Sequence, residues 1–237
     1  MIDVPITSNM HPELKPLPNF PGSTELPEPI SRFWSVLARC FSYLFHPLFI
    51  PLYVTAFLAY LHPRFFAGYG QLEKNWLMMR VAYTMVFLPL MTVFLLRRLR
   101  FIDSFFLETQ RDRIIPYVAC GIFFFWIYLV FRNQPAIPPV LTAFCLGVFL
   151  AVSAALICNI FFKISMHAIG MGGVLGLMGV LTVTGTVFMA TPVLISLLLT
   201  GVVCSSRLLI SNHRPFEIYT GLLLGMSSQC LAGLFYQ

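Results

Sequence analysis

Long apolar runs, each ending at charged or turn-forming residues, recur along this chain of 237 residues. Most are close to the roughly 20 residues that a helix needs to cross the hydrocarbon core of a bilayer. Only 10% of the residues are charged, against about 25% in an average soluble domain. Because so few charges cannot cover a soluble core, we expect an all-α, polytopic membrane helix bundle.

The apolar runs predict six to seven transmembrane helices. The six longer runs are Leu77–Leu96, Tyr117–Phe131, Pro138–Phe162, Ala168–Val187, Thr191–Ser206 and Phe216–Tyr236. The run Pro47–Leu61 is a seventh candidate, although its short length and Pro51 argue against a full span.

Two segments that precede these runs have a different character. Residues 1–30 contain seven of the 17 prolines, which predicts a polar, extended tail because proline disrupts helices. Residues 31–46 mix basic and aromatic side chains, a pattern typical of an amphipathic helix at the membrane interface. The sequence therefore divides into a tail (1–30), an interfacial helix (31–46) and a transmembrane domain (47–237).

Several classes of function are disfavoured. The six cysteines include no CxxC pair, so neither a disulfide framework nor a zinc site is predicted. No glycine-rich phosphate loop is present. The net charge of +6 comes from residues at the edges of the apolar runs, so the bilayer, and no nucleic acid, is the expected partner.

Three polar stretches return to the same side of the predicted membrane. They are residues 108–116, 163–173 and 206–217, and the gaps between them fit two spans and a turn each. With the N-terminal segments and Arg97, Arg98 and Arg100, this side carries eleven of the fifteen Lys and Arg residues, which the positive-inside rule assigns to the cytoplasm. Five of the eleven lie in these stretches as candidate site residues, so the count leaves both orientations open.

The third stretch combines a possible nucleophile with a possible anion ligand. Arg207 precedes His213 by six residues, and Glu217 follows His213 by four. If a helix begins near Pro215, the Glu217 carboxylate can reach back to the imidazole. A carboxylate on one ring nitrogen fixes the tautomer and leaves the other nitrogen free as a nucleophile. Arg207 offers an anion a bidentate fork.

The other two stretches add a second imidazole, a hydroxyl and further cations. These residues are Lys163, Ser165 and His167 in the second stretch, and Arg111 and Arg113 in the first. The second stretch begins an apolar run, and the amide groups at a helix start favour an anion. Two imidazoles, several cations and one carboxylate suit a phosphate better than a neutral ligand.

These residues resemble the motifs of the type 2 phosphatidic acid phosphatase (PAP2) superfamily. Ser206, Arg207, His213 and Glu217 are similar to the motif Ser-Arg-x5-His-x3-Asp. Ser165 and His167 are similar to the motif Pro-Ser-Gly-His. Arg111, Arg113 and Pro116 are similar to the motif Lys-x6-Arg-Pro. The first of these matches is the most specific, with Glu217 in place of Asp. In the second, Met166 replaces Gly. The resemblance covers residues 108–237 and is to a divergent bacterial membrane branch.

The resemblance implies a lipid phosphatase in the bacterial inner (cytoplasmic) membrane. His213 would attack phosphorus to form a phosphohistidine, His167 would protonate the leaving alkoxide, and Glu217 would orient His213. The substrate would be a phosphomonoester or pyrophosphate of a membrane lipid, and no metal or other cofactor is implied because side chains supply the positive charge. The phosphate-binding residues would be Arg207, Ser165, Arg111, Arg113 and Lys163.

Other interpretations stay open beside this one. A non-catalytic sensor or scaffold that binds lipid phosphates is favoured by the departures from the motifs Lys-x6-Arg-Pro and Pro-Ser-Gly-His. A transporter is disfavoured, since no inverted repeat and no acidic residue at mid-span is found. His46 and His62, each followed by proline, are interpreted as structural residues. Gly170, Gly172 and Gly173 are interpreted as helix-packing residues.

Overall fold

The computed structural model describes residues 31–102, 104, 107, 109–184, 188–211 and 213–235. The predicted tail, residues 1–30, lies outside these residues. Every regular element within the described ranges is helical. The prediction of an all-α polytopic helix bundle is therefore confirmed.

The described part of the chain forms nine α-helices. They are α1 (Arg32–Leu44), α2 (Ile50–Ala56), α3 (Gln71–Val81), α4 (Leu88–Arg98), α5 (Gln110–Arg132), α6 (Pro139–Phe161), α7 (Met166–Val183), α8 (Ala190–Ile210) and α9 (Pro215–Gly233). A π-helical turn, Phe57–Leu61, extends α2, and a second, Ala82–Phe87, joins α3 and α4 into one helix, Gln71–Arg98. The predicted interfacial segment 31–46 contains α1.

Five helices of the described ranges are long and apolar enough to span a membrane, namely Gln71–Arg98, α5, α6, α7 and α8. The protein is therefore an integral membrane protein, but the predicted six or seven spans exceed this number. Helix α9 has the length of a span, yet polar residues such as Glu217 and Gln229 make it less apolar. Gln229 donates a hydrogen bond to the Phe144 carbonyl of α6 at 3.2 Å. The segment Ile50–Leu61 is apolar but too short to cross the core.

Helices α7 and α9 pack with their backbones in contact. A Cβ atom added at Gly172 would overlap the backbone of α9, and one added at Gly225 would overlap the backbone of α7. Small residues permit such close approach, which supports helix association in lipid. Gly170 packs against Pro47, just before α2. The interpretation of the glycine cluster as helix-packing residues agrees with these contacts.

The polar stretches meet at one end of the bundle. Gln110 Nε2 at the start of α5 donates to the Asn159 carbonyl near the end of α6, and Asn159 Nδ2 donates to the Gln110 carbonyl, each at 2.8 Å. Because successive helices alternate in direction, the starts of α5, α7 and α9 and the ends of α6 and α8 lie together at this end.

Candidate active site

A backbone hydrogen bond joins the second and third polar stretches. The Ser165 amide, at the start of α7, donates to the Glu217 carbonyl in the first turn of α9 at 3.3 Å. Ser165 is fully buried, and its Oγ caps α7 by accepting from the Ala168 amide at 3.4 Å. This junction brings His167 to the same end of the bundle as His213.

His213 is oriented by Glu217, as the spacing predicts. Helix α9 begins at Pro215, and the His213 Nδ1–H group donates to Glu217 Oε2 at 2.7 Å. The same oxygen accepts from the Arg214 amide at 3.3 Å. The side chains of His213 and Glu217 are 4% and 12% exposed. The arrangement puts the proton on Nδ1 and leaves Nε2 uncommitted to any described residue.

The surroundings of His213 favour its neutral form. Burial lowers the pKa of its imidazole below the ordinary 6.5, and the positive charges of Arg113 and Arg207 lower it further. The hydrogen bond to Glu217 acts in the opposite direction but does not reverse the shift. A neutral imidazole at pH 7 has a lone pair on Nε2, as a nucleophile requires.

Arg113 is a buried cation in the wall of the site. It is 5% exposed, and its guanidinium is held by two backbone carbonyls: Nε donates to Leu107 and Nη1 donates to Ile164, both at 2.8 Å. Within the described ranges, its charge is not neutralised by an ion pair with a carboxylate. The positive charge is therefore fixed in place and available to an anion.

Arg207 approaches the site from the last turn of α8. Its Nη1 donates to Ser42 Oγ of α1 at 3.0 Å. Its Nε is buried and has no hydrogen-bond partner among the described residues. A buried donor without an acceptor is destabilising, so the geometry marks a position where an anionic oxygen can bind.

Two further residues, Ser42 and His46, complete this end of the bundle. His167 Nε2 donates to the Ser42 carbonyl at 2.9 Å. The His167 ring lies edge-to-face with His46, with ring centroids 5.3 Å apart. Burial, followed by the positive charge of Arg207, lowers the pKa of His46. No sequence motif indicates Ser42, and the proline after His46 favours a structural role, so neither residue is predicted at the site from the sequence.

Two of the predicted phosphate-binding residues are placed differently from the rest. Arg111 is exposed, and its side chain takes part in none of the hydrogen bonds or ion pairs among the described residues. It is two positions from Arg113, which places it about 200° around the helix. Arg111 is therefore not brought into the cluster, whereas Lys163 lies half-buried in the connection between α6 and α7.

The resulting cluster has an excess of positive potential. It contains Arg113, Arg207 and the imidazoles of His46, His167 and His213, whereas Glu217 is the one carboxylate bonded to it among the described residues. The starts of α5, α7 and α9 add the positive ends of three helix dipoles. This combination is suited to binding a phosphate-like anion.

The comparisons with known proteins give no relative from which the role of this cluster could be inferred. Searches of protein-family models, curated proteins and solved structures returned no match. The chemical role of the cluster is therefore argued from its own residues and their positions.

Replacing Glu217 with glutamine should lower the pKa of His213 further, because the carboxylate that stabilises the imidazolium is lost. NMR titration of ring-labelled histidines in detergent can measure this. In the wild type, the midpoint for His213 should lie below 6.5, with a lower midpoint in Glu217→Gln. Glu73→Gln is the matched control, since the Glu73 carboxylate accepts a hydrogen bond from the Gly70 amide and is not part of the cluster around His213. An unchanged or raised midpoint in Glu217→Gln would contradict the assigned hydrogen bond.

Proposed function

We propose that the protein is a lipid phosphatase of the bacterial inner membrane that forms a phosphohistidine at His213. One observation carries the proposal: a buried imidazole is oriented by Glu217 and lies in the field of two arginines. Such a site combines a nucleophile with fixed positive charge for the oxygens of a phosphoryl group. The resemblance of Arg207, His213 and Glu217 to the PAP2 motif Ser-Arg-x5-His-x3-Asp supports the same chemistry.

The proposed reaction has two phosphoryl-transfer steps. In the first, the His213 Nε2 lone pair forms a bond to phosphorus while the bond from phosphorus to the leaving oxygen breaks. Arg207 and Arg113 stabilise the charge on the equatorial oxygens. In the second, the oxygen of a water molecule bonds to phosphorus and the bond to Nε2 breaks, which releases inorganic phosphate and restores the imidazole.

His167 is the proposed proton donor to the leaving oxygen. Its Nε2–H group is occupied by the Ser42 carbonyl, so Nδ1 is the nitrogen that can serve the substrate. With Nδ1 protonated, the His167 imidazolium gives that proton to the leaving alkoxide in the first step. In the second step the neutral ring takes a proton from the attacking water, which restores the imidazolium. The Ser165 hydroxyl oxygen accepts a hydrogen bond from the Ala168 amide. Its own O–H group can still donate a hydrogen bond to a phosphate oxygen.

An apolar groove supports a lipid as the substrate. It has a volume of about 400 Å³, within the usual range for ligand pockets. Residues that line it include Leu175, Leu197, Gly201, Leu208, Pro215 and Leu222. Leu208 follows Arg207 in the sequence and Pro215 follows Arg214, so the groove ends at the cationic end of α8 and α9. A hydrocarbon chain in the groove would have its phosphate near the cluster.

A second candidate function is a sensor or scaffold that binds lipid phosphates without hydrolysis. Two observations favour it: the Ser165 hydroxyl serves as a helix cap, and His167 is already bonded to the Ser42 carbonyl. Both residues could therefore be structural. The sensor and the enzyme differ in one measurable property, the release of phosphate.

The purified protein should release phosphate from a lipid phosphate in detergent, and EDTA should not inhibit it because side chains provide the positive charge. His213→Ala should abolish release, since the covalent step is lost. Arg207→Lys should lower kcat/KM, because an ammonium group cannot replace the bidentate fork. His167→Ala should slow release on the order of 10²-fold, most strongly for poor leaving groups.

Matched controls lie at the opposite end of the chain's helices. His62→Ala and Arg132→Lys change the same residue types outside the cluster, and both should keep wild-type rates. Binding of lipid phosphates without release across a broad panel would favour the sensor. Full activity in His213→Ala would rule out the proposed nucleophile.

Gly201→Leu should lower kcat/KM for a long-chain lipid phosphate by roughly tenfold, because the new side chain occupies the groove. A short-chain, water-soluble phosphomonoester should be hydrolysed at the wild-type rate. A Cβ atom at Gly201 meets nothing within 4 Å, and the same is true at Gly179. Gly179→Leu, outside the groove lining, is therefore the control. An equal loss of kcat/KM in Gly201→Leu and Gly179→Leu would contradict the assignment of the groove as the binding site of the hydrocarbon chain. An equal loss of kcat/KM for the long-chain and short-chain substrates would contradict it as well.

A further inference from the structure

We propose that Ser42, on the interfacial helix α1, is a positioning residue that holds Arg207 and His167 in the geometry needed to bind phosphate. The inference deepens the proposed function and rests on it, because Ser42 acts through two residues assigned to phosphate chemistry. Ser42 lies outside the three polar stretches and outside the PAP2-like region, residues 108–237.

The contacts of Ser42 reach both sides of the cluster. Its Oγ accepts from Arg207 Nη1 at 3.0 Å, and its carbonyl accepts from His167 Nε2 at 2.9 Å. The three side chains come from separate helices, α1, α7 and α8. One residue of α1 therefore sets the position of a cation and an imidazole at the same time.

The bond to Ser42 determines which part of the Arg207 guanidinium is left for a ligand. Nη1 is occupied by Ser42, while the buried Nε has no partner among the described residues. The Nε edge of a guanidinium can bind two oxygens of one phosphate through parallel N–H groups. Anchoring Nη1 reduces the rotational freedom of the side chain, so less entropy is lost when the phosphate binds.

The contact with His167 has a comparable effect on the imidazole. Donation from Nε2 to a carbonyl fixes the tautomer and the ring plane. Nδ1 is then the nitrogen that remains for the substrate, with the edge-to-face ring of His46 at 5.3 Å limiting its rotation. The carbonyl is a backbone group, so only the Oγ contact can be removed by substitution.

Helix α1 is held so that Ser42 keeps this position. Ala38 and Ser42, one turn apart, are its buried residues, and Tyr53 of α2 donates to the Leu44 carbonyl at its end at 2.9 Å. Elsewhere on α1, the aromatic side chains of Phe33, Trp34 and Tyr43 are exposed, as expected for a helix at the membrane interface. The cluster is therefore complete only with α1 in this docked position.

The test compares three variants of the full chain, with inorganic phosphate as the probe for affinity and a lipid phosphate for turnover. Ser42→Ala should weaken phosphate binding roughly tenfold, since it removes a hydrogen bond to a charged group. The lower kcat/KM of Ser42→Ala should result mainly from a higher KM. Ser42→Thr keeps the hydroxyl and should restore most of the affinity. Ser35→Ala, two turns earlier on the same face of α1, should behave as the wild type.

The outcomes separate this inference from the proposed function. If the wild type binds phosphate but releases none from lipids, the enzyme proposal fails, and weaker binding by Ser42→Ala than by Ser35→Ala still supports the positioning role. If Ser42→Ala binds phosphate as tightly as the wild type, or more tightly, the positioning role is overturned. A wild type that does not bind phosphate contradicts both. Equal losses of phosphate affinity in Ser42→Ala and Ser42→Thr would also overturn the positioning role, since the hydroxyl would then not be the responsible group.

Discussion

The close packing of α7 against α9 is the constraint on which the candidate site depends. Glycines at their contact, including Gly172 and Gly225, leave no room for a Cβ atom between the two backbones. This proximity lets the Ser165 amide reach the Glu217 carbonyl and so joins the starts of the two helices. Side chains that are far apart in the sequence are then fixed around a common space, and the helix dipoles favour negative charge in it.

The second constraint is electrostatic. Arginine side chains are costly to remove from water unless their donors are satisfied. Arg113 meets this condition through two backbone carbonyls, whereas Arg207 Nε stays without a described partner. The excess of cations over carboxylates is electrostatically unfavourable, and a bound anion would reduce this cost. A phosphate would satisfy this requirement, and under the proposed function the adjacent apolar groove would take the hydrocarbon chain of a lipid.

The local parts of this arrangement were predictable from the sequence, and the tertiary parts were not. The spacing between His213 and Glu217 predicts their hydrogen bond because both residues flank one helix start. The helical periodicity also explains why Arg111 and Arg113, two positions apart, lie on different faces. Ser42 contacts residues 125 and 165 positions away, a separation that no local pattern reports. Helix α9 was predicted as a span, but its polar residues reflect its packing against other helices.

The central claim is that His213 accepts the phosphoryl group, and trapping of the intermediate tests it most directly. The protein is mixed with a lipid carrying radiolabelled phosphate, quenched in base, which preserves phosphohistidine, and digested for peptide mapping. The account predicts label on the peptide that contains His213 and none in His213→Ala. Phosphate release without label on His213, or label on His46 or His167 instead, would contradict it.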